Sequence, residues 1–304
     1  MVNYISRRQK YRDIELIDTM YKLRIFSSFG PSEECKEVFE RLCQTHMITE
    51  YGEDNTVYIT NSDDYTHVII LNTAMPRIPA HIPKKNVIGL AYEPIFYLGL
   101  TEQFIEYAKA NIGTYYIGDK GVLPDPFTEH YAYMWHMTPL KHVPIKTATM
   151  SIMISLKYQM PGHKYRHDLT TRILKERLPV DIYGRGCKVY NTTSPHLKGE
   201  FTETEPYERY DFHIAIENSQ SNHYFSEKII NPLLCSTTPV YLGCKHIQDY
   251  FPEEVICMSG NVDEDIELIK NIIRTPSTYK KEIDTEKVKK RVSLIENVET
   301  IFSE

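Results

Sequence analysis

Residues 212–243 contain the pattern that most restricts how this chain can fold. A mostly apolar segment over residues 212–216 is followed by a polar loop, a helical segment over 226–235 and a second apolar segment over 239–242. This order, within about 30 residues, is typical of a βαβ unit. Because parallel strands need a crossover of this kind, the segment predicts a parallel sheet covered by helices.

Strand and helix signals also alternate along the rest of the chain. The predicted strands are 23–29, 67–72, 86–92, 114–118, 148–155, 179–183, 212–216, 239–242 and 255–258. The predicted helices are 32–43, 101–110, 167–177, 226–235, 263–274 and 286–302.

An irregular stretch separates two such series. Residues 119–146 contain Pro124, Pro126, Pro139 and Pro144, which favours a linker. We therefore expect two doubly wound α/β domains facing a cleft. The expected limits are 1–145 for the first domain with the linker, 146–280 for the second and 281–304 for a C-terminal helix.

Composition narrows the class of protein. Hydrophobic residues make up 41% of the chain, which is typical of a globular protein. The net charge of -6 argues against a general nucleic-acid or anionic-membrane binder. The six cysteines are far apart and form no CxxC pair, so we expect reduced, mostly buried thiols. The N-terminus shows no apolar signal segment and no run approaches the ~18 apolar residues of a membrane span, so we expect a soluble, cytoplasmic protein.

The polar residues of the predicted βαβ unit lie where such a unit presents groups to a ligand. Glu217 and Asn218 follow the first strand, where carboxylate and amide can hydrogen-bond hydroxyls such as those of a ribose. Ser226 can cap the next helix, and a helix N-terminus with Lys228 in its first turn attracts a diphosphate. The same residues also make a good helix start with no ligand, with Lys228 paired only to Glu227. The residues alone leave both interpretations open.

The same segment resembles the signature of a known enzyme family. The residues Glu217-Asn-Ser219, Tyr224, Ser226-Glu-Lys228 and Pro239-Val-Tyr-Leu-Gly243 match the pattern of the α-1,3/α-1,4-fucosyltransferases (glycosyltransferase family 10), with Thr238 where that family commonly has Val. The resemblance implies the GT-B fold, in which two Rossmann-like domains face a cleft. It also implies inverting transfer of fucose from GDP-fucose to a hydroxyl of a glycan acceptor. The chain looks like a soluble bacterial or viral member, which would act in the host cytoplasm if viral.

Weaker matches extend outward over roughly residues 86–260. Ser155 ends a strand, and a helix beginning near Arg166 is similar to the family's first donor-domain unit, which carries an arginine that grips the diphosphate. Arg166 is predicted for that role, with Lys164 and Arg172 as alternatives. Arg166, Lys228 and the helix dipole would stabilise the charge that grows on the departing diphosphate.

In the first domain, Glu93 before Pro94 resembles the strand-end glutamate that serves this family as general base. Inverting transfer needs a base to take the proton of the acceptor hydroxyl as its oxygen attacks the anomeric carbon. The carboxyl end of a parallel strand is where open α/β sheets place such groups. A simpler interpretation is that Glu93 only ends a turn before Pro94; the resemblance favours the base.

The resemblance implies tasks for the remaining donor-binding residues. Glu217, Asn218 and Tyr224 would hold the nucleoside and the sugar, and Glu227 would accept a hydrogen bond from a hydroxyl. On the turn after the 179–183 strand, Tyr183 and Arg185 would line the base pocket. The full predicted donor set is Ser155, Arg166, Tyr183, Arg185, Glu217, Asn218, Tyr224, Ser226, Glu227 and Lys228.

No metal or other cofactor is expected. Asp263-Glu-Asp265 matches the Asp-x-Asp pattern of metal-dependent glycosyltransferases, but it opens an amphipathic helix, where the dipole alone favours acidic residues. The family that the chain resembles needs no metal bound by such a motif.

Two alternatives stay open. The first keeps the fold and the mechanism but uses another GDP-sugar, or a UDP-sugar such as UDP-xylose, because contacts to single hydroxyls decide the donor. The second is a catalytically inactive protein that binds sugar nucleotides. In the leading interpretation the partners are a nucleotide-sugar donor and a glycan acceptor, without nucleic acid.

Overall fold

The computed structural model of the chain describes residues 21–42, 50–51, 56–138 and 140–303. Internal packing divides the chain into one unit within residues 1–128 and 293–304 and a second within 129–292. Most of the stretch expected to link two domains thus packs with the second unit, and the last residues pack with the first. The expected domain limits of 1–145, 146–280 and 281–304 stay a prediction.

The first sheet is mostly parallel. Its described strands are β1 (Tyr21–Ser27), β2 (Glu50–Tyr51), β3 (Val57–Ile59), β4 (His67–Leu71), β5 (Val87–Leu90), β6 (Thr114–Ile117) and β7 (Phe127–Glu129). Over the described part of the chain they lie in the order β2-β3-β1-β4-β5-β6-β7. The registers of β3, β1, β4, β5 and β6 are parallel, and β2 is antiparallel to β3.

The second sheet is parallel throughout. Its described strands are β8 (Ala148–Met153), β9 (Val180–Tyr183), β10 (Leu197–Gly199), β11 (Tyr210–Ser221), β12 (Thr238–Cys244) and β13 (Ile256–Cys257). They lie in the order β10-β9-β8-β11-β12-β13. Every residue of β12 is buried, as expected for a central parallel strand covered on both faces. The α/β prediction is therefore confirmed.

Helices connect the strands. The described α-helices are α1 (Ser32–Leu42), α2 (Ile95–Leu98), α3 (Glu102–Asn111), α4 (Pro161–Lys175), α5 (Glu227–Leu234), α6 (Ile247–Tyr250), α7 (Val262–Arg274), α8 (Pro276–Tyr279), α9 (Thr285–Val292) and α10 (Val298–Ser303). Helix α4 begins six residues earlier than predicted, with Pro161 in its first turn, a position that proline favours.

The prediction of a single C-terminal helix over residues 286–302 is wrong. A 3₁₀ turn over Ile295–Asn297 separates α9 from α10. The Ser293 hydroxyl accepts from the N–H of Glu296 at 3.3 Å, and the Asn297 amide donates to the Ser293 carbonyl at 2.7 Å. These local bonds give the backbone an alternative to continuous helix.

The cysteine prediction is confirmed where it can be checked. Cys35, Cys187, Cys235 and Cys244 are free and buried, and Cys257 is free and exposed. Cys43 lies outside the described residues. None of the helices in the described ranges has the length and apolar character needed to cross a bilayer.

Candidate functional site

The carboxyl-terminal part of β11 carries Glu217 and Asn218. The parallel pairing of β11 with β12 runs from Phe212 to Ile216, and the next paired residue is Ser221. Residues 217–220 therefore form an irregularity in the sheet, a feature that turns side chains away from the regular pleat. It lies at the sheet edge where open α/β folds bind ligands.

Ser226 caps α5 and is bonded to Glu217. The Ser226 hydroxyl accepts from the N–H of Lys228 at 3.3 Å, as an N-cap residue does. It also lies 2.8 Å from each carboxylate oxygen of Glu217, and the Ser226 N–H donates to Glu217 Oε1 at 2.9 Å. The Glu217 side chain is 0% exposed, so it offers no surface to a ligand. In place of the direct sugar contact predicted for it, Glu217 has a supporting position beneath Ser226, the N-cap residue of α5.

Lys228 lies between two carboxylates. Its Nζ is 3.0 Å from Glu227 Oε1, 3.1 Å from Ser226 Oγ and 3.5 Å from Glu217 Oε2. Burial acts to lower the pKa of Lys228, but Glu227 and Glu217 outweigh it and raise that pKa above its ordinary value. Burial raises the pKa of Glu217, against the influence of Lys228. Lys228 therefore stays charged at neutral pH.

Arg166 meets the same strand end from α4. Its side chain is buried, Nε donates to the Gly162 carbonyl at 3.3 Å, and NH2 donates to Asn218 Oδ1 at 2.7 Å. Burial lowers the pKa of Arg166, and the charges of Glu217 and Glu227 oppose that shift. The guanidinium is thus part of one charged cluster with Lys228 and these carboxylates.

Glycines permit this close packing. A Cβ on Gly162 would lie 1.8 Å from the Glu217 carbonyl oxygen, so the first turn of α4 touches the backbone of β11. A Cβ on Gly243 would lie 2.5 Å from Glu217 Cγ and 2.3 Å from the Tyr241 hydroxyl. Both positions need glycine for steric reasons.

The loop between β11 and α5 carries Tyr224. Its ring is buried, and its N–H donates to the Ser221 hydroxyl at 2.9 Å. Tyr224 therefore lies in the short connection that ends at the Ser226 cap.

Three predicted donor residues lie on other strand ends of the second unit. Tyr183 is buried, and its hydroxyl lies 2.7 Å from that of Tyr210. It therefore presents no exposed group to a nucleobase. Arg185 is exposed on a 3₁₀ turn after β9. Ser155 follows β8, with its carbonyl 3.0 Å from Nε2 of His167. Among the described residues, none of these three is hydrogen-bonded or ion-paired to Arg166 or Lys228.

The alternatives to Arg166 have different surroundings. Lys164 is exposed on α4. Arg172 is bonded to Glu176 at 3.0 Å and to Asp263 at 2.6 Å. Of these three, only Arg166 is hydrogen-bonded to the end of β11 within the described ranges.

The two aspartates of the Asp-x-Asp motif have separate structural partners. Asp263 pairs with Arg172. Asp265 is buried, accepts from the N–H groups of Ser259 and Gly260 at 2.8 and 3.0 Å, and is bonded to Tyr165. No group of three potential metal-binding side chains occurs within the described residues.

In the first unit, Glu93 is half-buried and lies three residues after Leu90, the last residue of β5. The preceding residue, Tyr92, donates its N–H to Asn72 Oδ1 at 2.8 Å. Asn72 follows β4 with a positive φ of 55°, and its carbonyl accepts from the Tyr115 hydroxyl at 2.8 Å. Glu93 thus lies at the carboxyl end of a parallel strand, as predicted, on a loop held by a buried asparagine.

Sequence reasoning missed Asn72 and Gly162. Gly162 was overlooked because the helix was predicted to begin at residue 167, which left it in a loop. Asn72 carried a usable signal, because an asparagine directly after an apolar strand is a residue that tolerates positive φ.

The second unit is similar in sequence to known proteins. Residues 143–270 match the family model "Glycosyltransferase family 10 (fucosyltransferase) C-term". A protein of Acanthamoeba polyphaga mimivirus described as a fucosyltransferase is 27% identical over 193 residues, which cover 56% of this chain and 30% of that protein. Alpha-(1,3)-fucosyltransferase B of Drosophila melanogaster is 31% identical over 99 residues, 29% of this chain and 21% of that protein. The matches thus span less than a third of the length of these relatives.

Among solved structures, the DNA-modifying enzyme beta-glucosyltransferase superposes with a TM-score of 0.51 at 12% identity, over 93% of this chain and 100% of that one. This likeness shows the fold alone, and it confirms the predicted GT-B type of architecture. The match over residues 143–270 contains Arg166, Glu217, Ser226 and Lys228. Over residues 143–270, the chain is therefore similar to the C-terminal domain of glycosyltransferase family 10, the fucosyltransferase family.

Proposed function

We propose that this chain transfers fucose from GDP-fucose to a hydroxyl of a glycan acceptor, with inversion at the anomeric carbon. The observation that carries the proposal is the cluster at the end of β11. There the buried Arg166 bonds to Asn218, and Lys228 lies in the first turn of α5 beside the Ser226 cap. Two cations and a helix N-terminus at one strand end suit the diphosphate of a nucleotide sugar.

In this proposal the acceptor oxygen attacks the anomeric carbon while the bond from that carbon to the β-phosphate oxygen breaks. The electron pair of the broken bond goes to the departing diphosphate, where Arg166, Lys228 and the α5 dipole stabilise the added charge. Glu93 takes the proton of the acceptor hydroxyl. Attack from the face opposite the leaving group inverts the configuration.

Asn218, Tyr224 and Glu227 are proposed to contact the nucleotide sugar. Glu227 is 45% exposed beside Lys228, so one face of its carboxylate remains open to a donor hydroxyl. Glu217 has a supporting role, because its buried carboxylate holds Ser226 and faces Lys228. Ser155 and Arg185 are still proposed as donor-binding residues, near the nucleobase or the diphosphate. For Tyr183 we propose support from the core, since its hydroxyl bonds to Tyr210.

We further propose that the reaction needs no metal bound by the Asp-x-Asp motif. Asp263 is committed to Arg172, and Asp265 to the Ser259–Gly260 turn. The positive charges of Arg166 and Lys228 would supply the stabilisation that a divalent cation gives in metal-dependent transferases.

The test is a donor screen on the purified chain. GDP and GDP-fucose should raise the melting temperature more than UDP and UDP-sugars, UDP-xylose included. GDP-fucose should be consumed with a glycan acceptor present, in EDTA-treated protein as well, and NMR of the product should show the inverted anomer. Stabilisation by UDP alone would shift the assignment to the alternative donor. Nucleotide binding without transfer to any glycan of a broad array would favour the inactive alternative.

The base assignment needs its own variant. Glu93→Gln should bind GDP with the affinity of the unmodified chain and lose transfer, because the amide cannot take a proton. A variant that transfers fucose at the unchanged rate would remove Glu93 from the mechanism.

A further inference from the structure

One histidine joins the loops at the carboxyl ends of β8 and β9, two neighbouring strands of the second sheet. His167 is buried on α4. Its Nε2 lies 3.0 Å from the carbonyl oxygen of Ser155, which follows β8. Its Nδ1 lies 2.9 Å from the hydroxyl of Tyr190, which follows the 3₁₀ turn Arg185–Val189 after β9. The imidazole therefore bridges two adjacent strand ends.

The partners of the ring define its hydrogen bonds. A carbonyl oxygen can only accept, so Nε2 carries a proton and donates to Ser155. Burial raises the pKa of Tyr190 to about 12, so its hydroxyl keeps its proton at neutral pH and can donate. That hydroxyl has two acceptors on His167, Nδ1 at 2.9 Å and the main-chain carbonyl at 3.2 Å. The bond from the ring to Ser155, in contrast, depends on the Nε2 proton alone.

Two glycines bring the same loops into close contact. A Cβ on Gly186 would lie 2.6 Å from the Ser155 carbonyl oxygen. Gly184 has a φ of 103°, and a Cβ there would lie 2.1 Å from the Ile154 carbonyl oxygen. Both positions need glycine for steric reasons. The turn after β9 thus lies against the backbone that follows β8, and His167 bonds to both segments.

The loop after β8 carries an exposed aromatic ring. Tyr158 is 52% exposed, and its ring centroid lies 5.5 Å from that of His167. The Tyr190 ring lies on the same histidine, 5.9 Å away. Within the loop, the N–H of Lys157 donates to the Ser155 hydroxyl at 3.3 Å. The exposed ring therefore stands on a loop with defined contacts, and its flat apolar face can stack with a planar ligand.

Helix α4 connects this ring to the proposed diphosphate site. Arg166 directly precedes His167, and consecutive side chains of an α-helix diverge by about 100°. Arg166 contacts the end of β11, where it donates to Asn218 at 2.7 Å, and His167 contacts the ends of β8 and β9. A nucleotide has a charged diphosphate at one end and a planar base at the other. The two groups of contacts lie along the sheet edge where open α/β folds bind such ligands.

We propose that the ring of Tyr158 stacks on the nucleobase of the donor, and that His167 is a positioning residue that holds the loop carrying this ring through the Ser155 carbonyl. The inference rests on the proposed function for the identity of the ligand. Tyr158 takes the role that the sequence suggested for Tyr183, whose ring is buried.

Two probes separate the base from the diphosphate: GDP and inorganic pyrophosphate. Tyr158→Ala should weaken GDP binding about 5- to 150-fold, the range for loss of a base–aromatic stack. Calorimetry should show pyrophosphate binding unchanged in this variant. Tyr158→Phe, which keeps the ring, should restore the affinity for GDP. Unchanged GDP affinity in Tyr158→Ala would overturn the proposal, and so would an equal loss for both probes.

Two substitutions test the positioning role of His167. In His167→Gln the amide nitrogen takes the place of Nε2 and still donates to Ser155, while Tyr190 keeps the main-chain carbonyl as an acceptor. In His167→Asn the amide oxygen takes the place of Nδ1, and the donor to Ser155 is lost. The Asn variant should raise the KM for GDP-fucose about tenfold with kcat little changed, since a contact made equally in ground and transition states affects binding alone. The Gln variant should stay within about twofold of the unmodified KM. Equal KM values, or the reverse order, would overturn the positioning role.

NMR of the unmodified chain tests both parts without a variant enzyme. Nitrogen-15 spectra should show a proton on Nε2 of His167, and a ring with its only proton on Nδ1 would overturn the positioning role even if both His167 variants failed to fold. GDP, but not pyrophosphate, should move the ring-proton signals of Tyr158 upfield, because a stacked base shields them. If GDP bound without this shift, the stacking proposal would fail and the proposed function would stand. If neither GDP nor UDP bound, both would fail.

Discussion

The hydroxyl oxygen of Ser226 lies 2.8 Å from both carboxylate oxygens of Glu217, nine residues earlier in the chain. This contact joins the end of β11 to the N-terminus of α5 and sets the position of Lys228 in the first turn of that helix. A buried carboxylate beneath a helix cap thus orients a cation that the proposed reaction needs.

Glu217→Gln tests that relationship. The substitution keeps the size of the side chain but places an uncharged NH₂ group where a carboxylate oxygen faces Ser226 or Lys228. A buried polar group left without a suitable partner costs about 1–3 kcal/mol. We expect the free energy of unfolding to fall by about that amount and GDP binding to weaken, as measured by urea denaturation and calorimetry.

Glu227→Gln is the matched control. It also removes a carboxylate 3.0 Å from Lys228 Nζ, but this side chain is 45% exposed. An exposed ion pair contributes about 0–1 kcal/mol. If both variants lost the same stability, the burial of Glu217 would not be the cause.

Arg166→Lys tests the cation on α4. Lysine retains the charge but lacks the planar fork that reaches Asn218 and the Gly162 carbonyl together. Removing one preorganised donor from a developing charge costs about 10²–10³ in rate where such groups have been tested. We expect kcat for transfer from GDP-fucose to fall by about that factor.

Arg172→Lys on the same helix is the comparison. Arg172 pairs with Glu176 and Asp263, so the lysine variant should transfer fucose at the unmodified rate. A loss at Arg172 equal to the loss at Arg166 would mean that the whole helix, and not the contact with Asn218, sets the rate.

The order of strands and helices could be predicted because it follows from hydrophobic periodicity and capping residues. Ser226 caps the helix for which the sequence proposed it as the N-cap residue. The 212–243 segment forms the parallel β11–α5–β12 unit that its pattern predicts. These features are local, so one sequence is enough to find them.

The direction of individual side chains could not be predicted. A glutamate at a strand end can point toward a ligand or toward the next helix. For Glu217 the direction depends on the irregular pairing of β11 with β12 and on Gly243, whose missing side chain leaves room for the glutamate. Gly162 escaped notice for a similar reason, because its importance comes from contact with the backbone of β11, which is distant in the chain. Such tertiary contacts leave no periodic signal.

Asn72 should position the loop that carries Glu93. Asn72→Ala removes the acceptor for the Tyr92 N–H and places alanine at a φ of 55°, which asparagine tolerates better. Asn72→Gly removes the same acceptor without backbone strain. Both variants should lose transfer activity, and the alanine variant should also be less stable than the glycine variant by about 1 kcal/mol. Unchanged kcat in Asn72→Gly would show that the bond to Tyr92 does not support Glu93.

Buried neutral histidines should make the fold sensitive to acid. Burial lowers the pKa of His213 to about 3, and the ring lies 2.8 Å from the Ser151 hydroxyl. Burial, with Lys85 as a second cause, lowers the pKa of His67 to about 4. The unfolded chain binds protons at these positions below about pH 6.5, whereas the folded chain does not until near pH 4 or lower. The unfolded state therefore holds more protons in this window, and stability falls as the pH falls.

Each such histidine contributes up to about 1.4 kcal/mol per pH unit to this loss. Urea denaturation between about pH 6.5 and pH 5, above the range in which ordinary carboxylates titrate, measures the slope. His67→Asn should reduce the slope by about one proton. A slope that is identical in the His67 variant and the unmodified chain would mean that this imidazole is already protonated in the folded state.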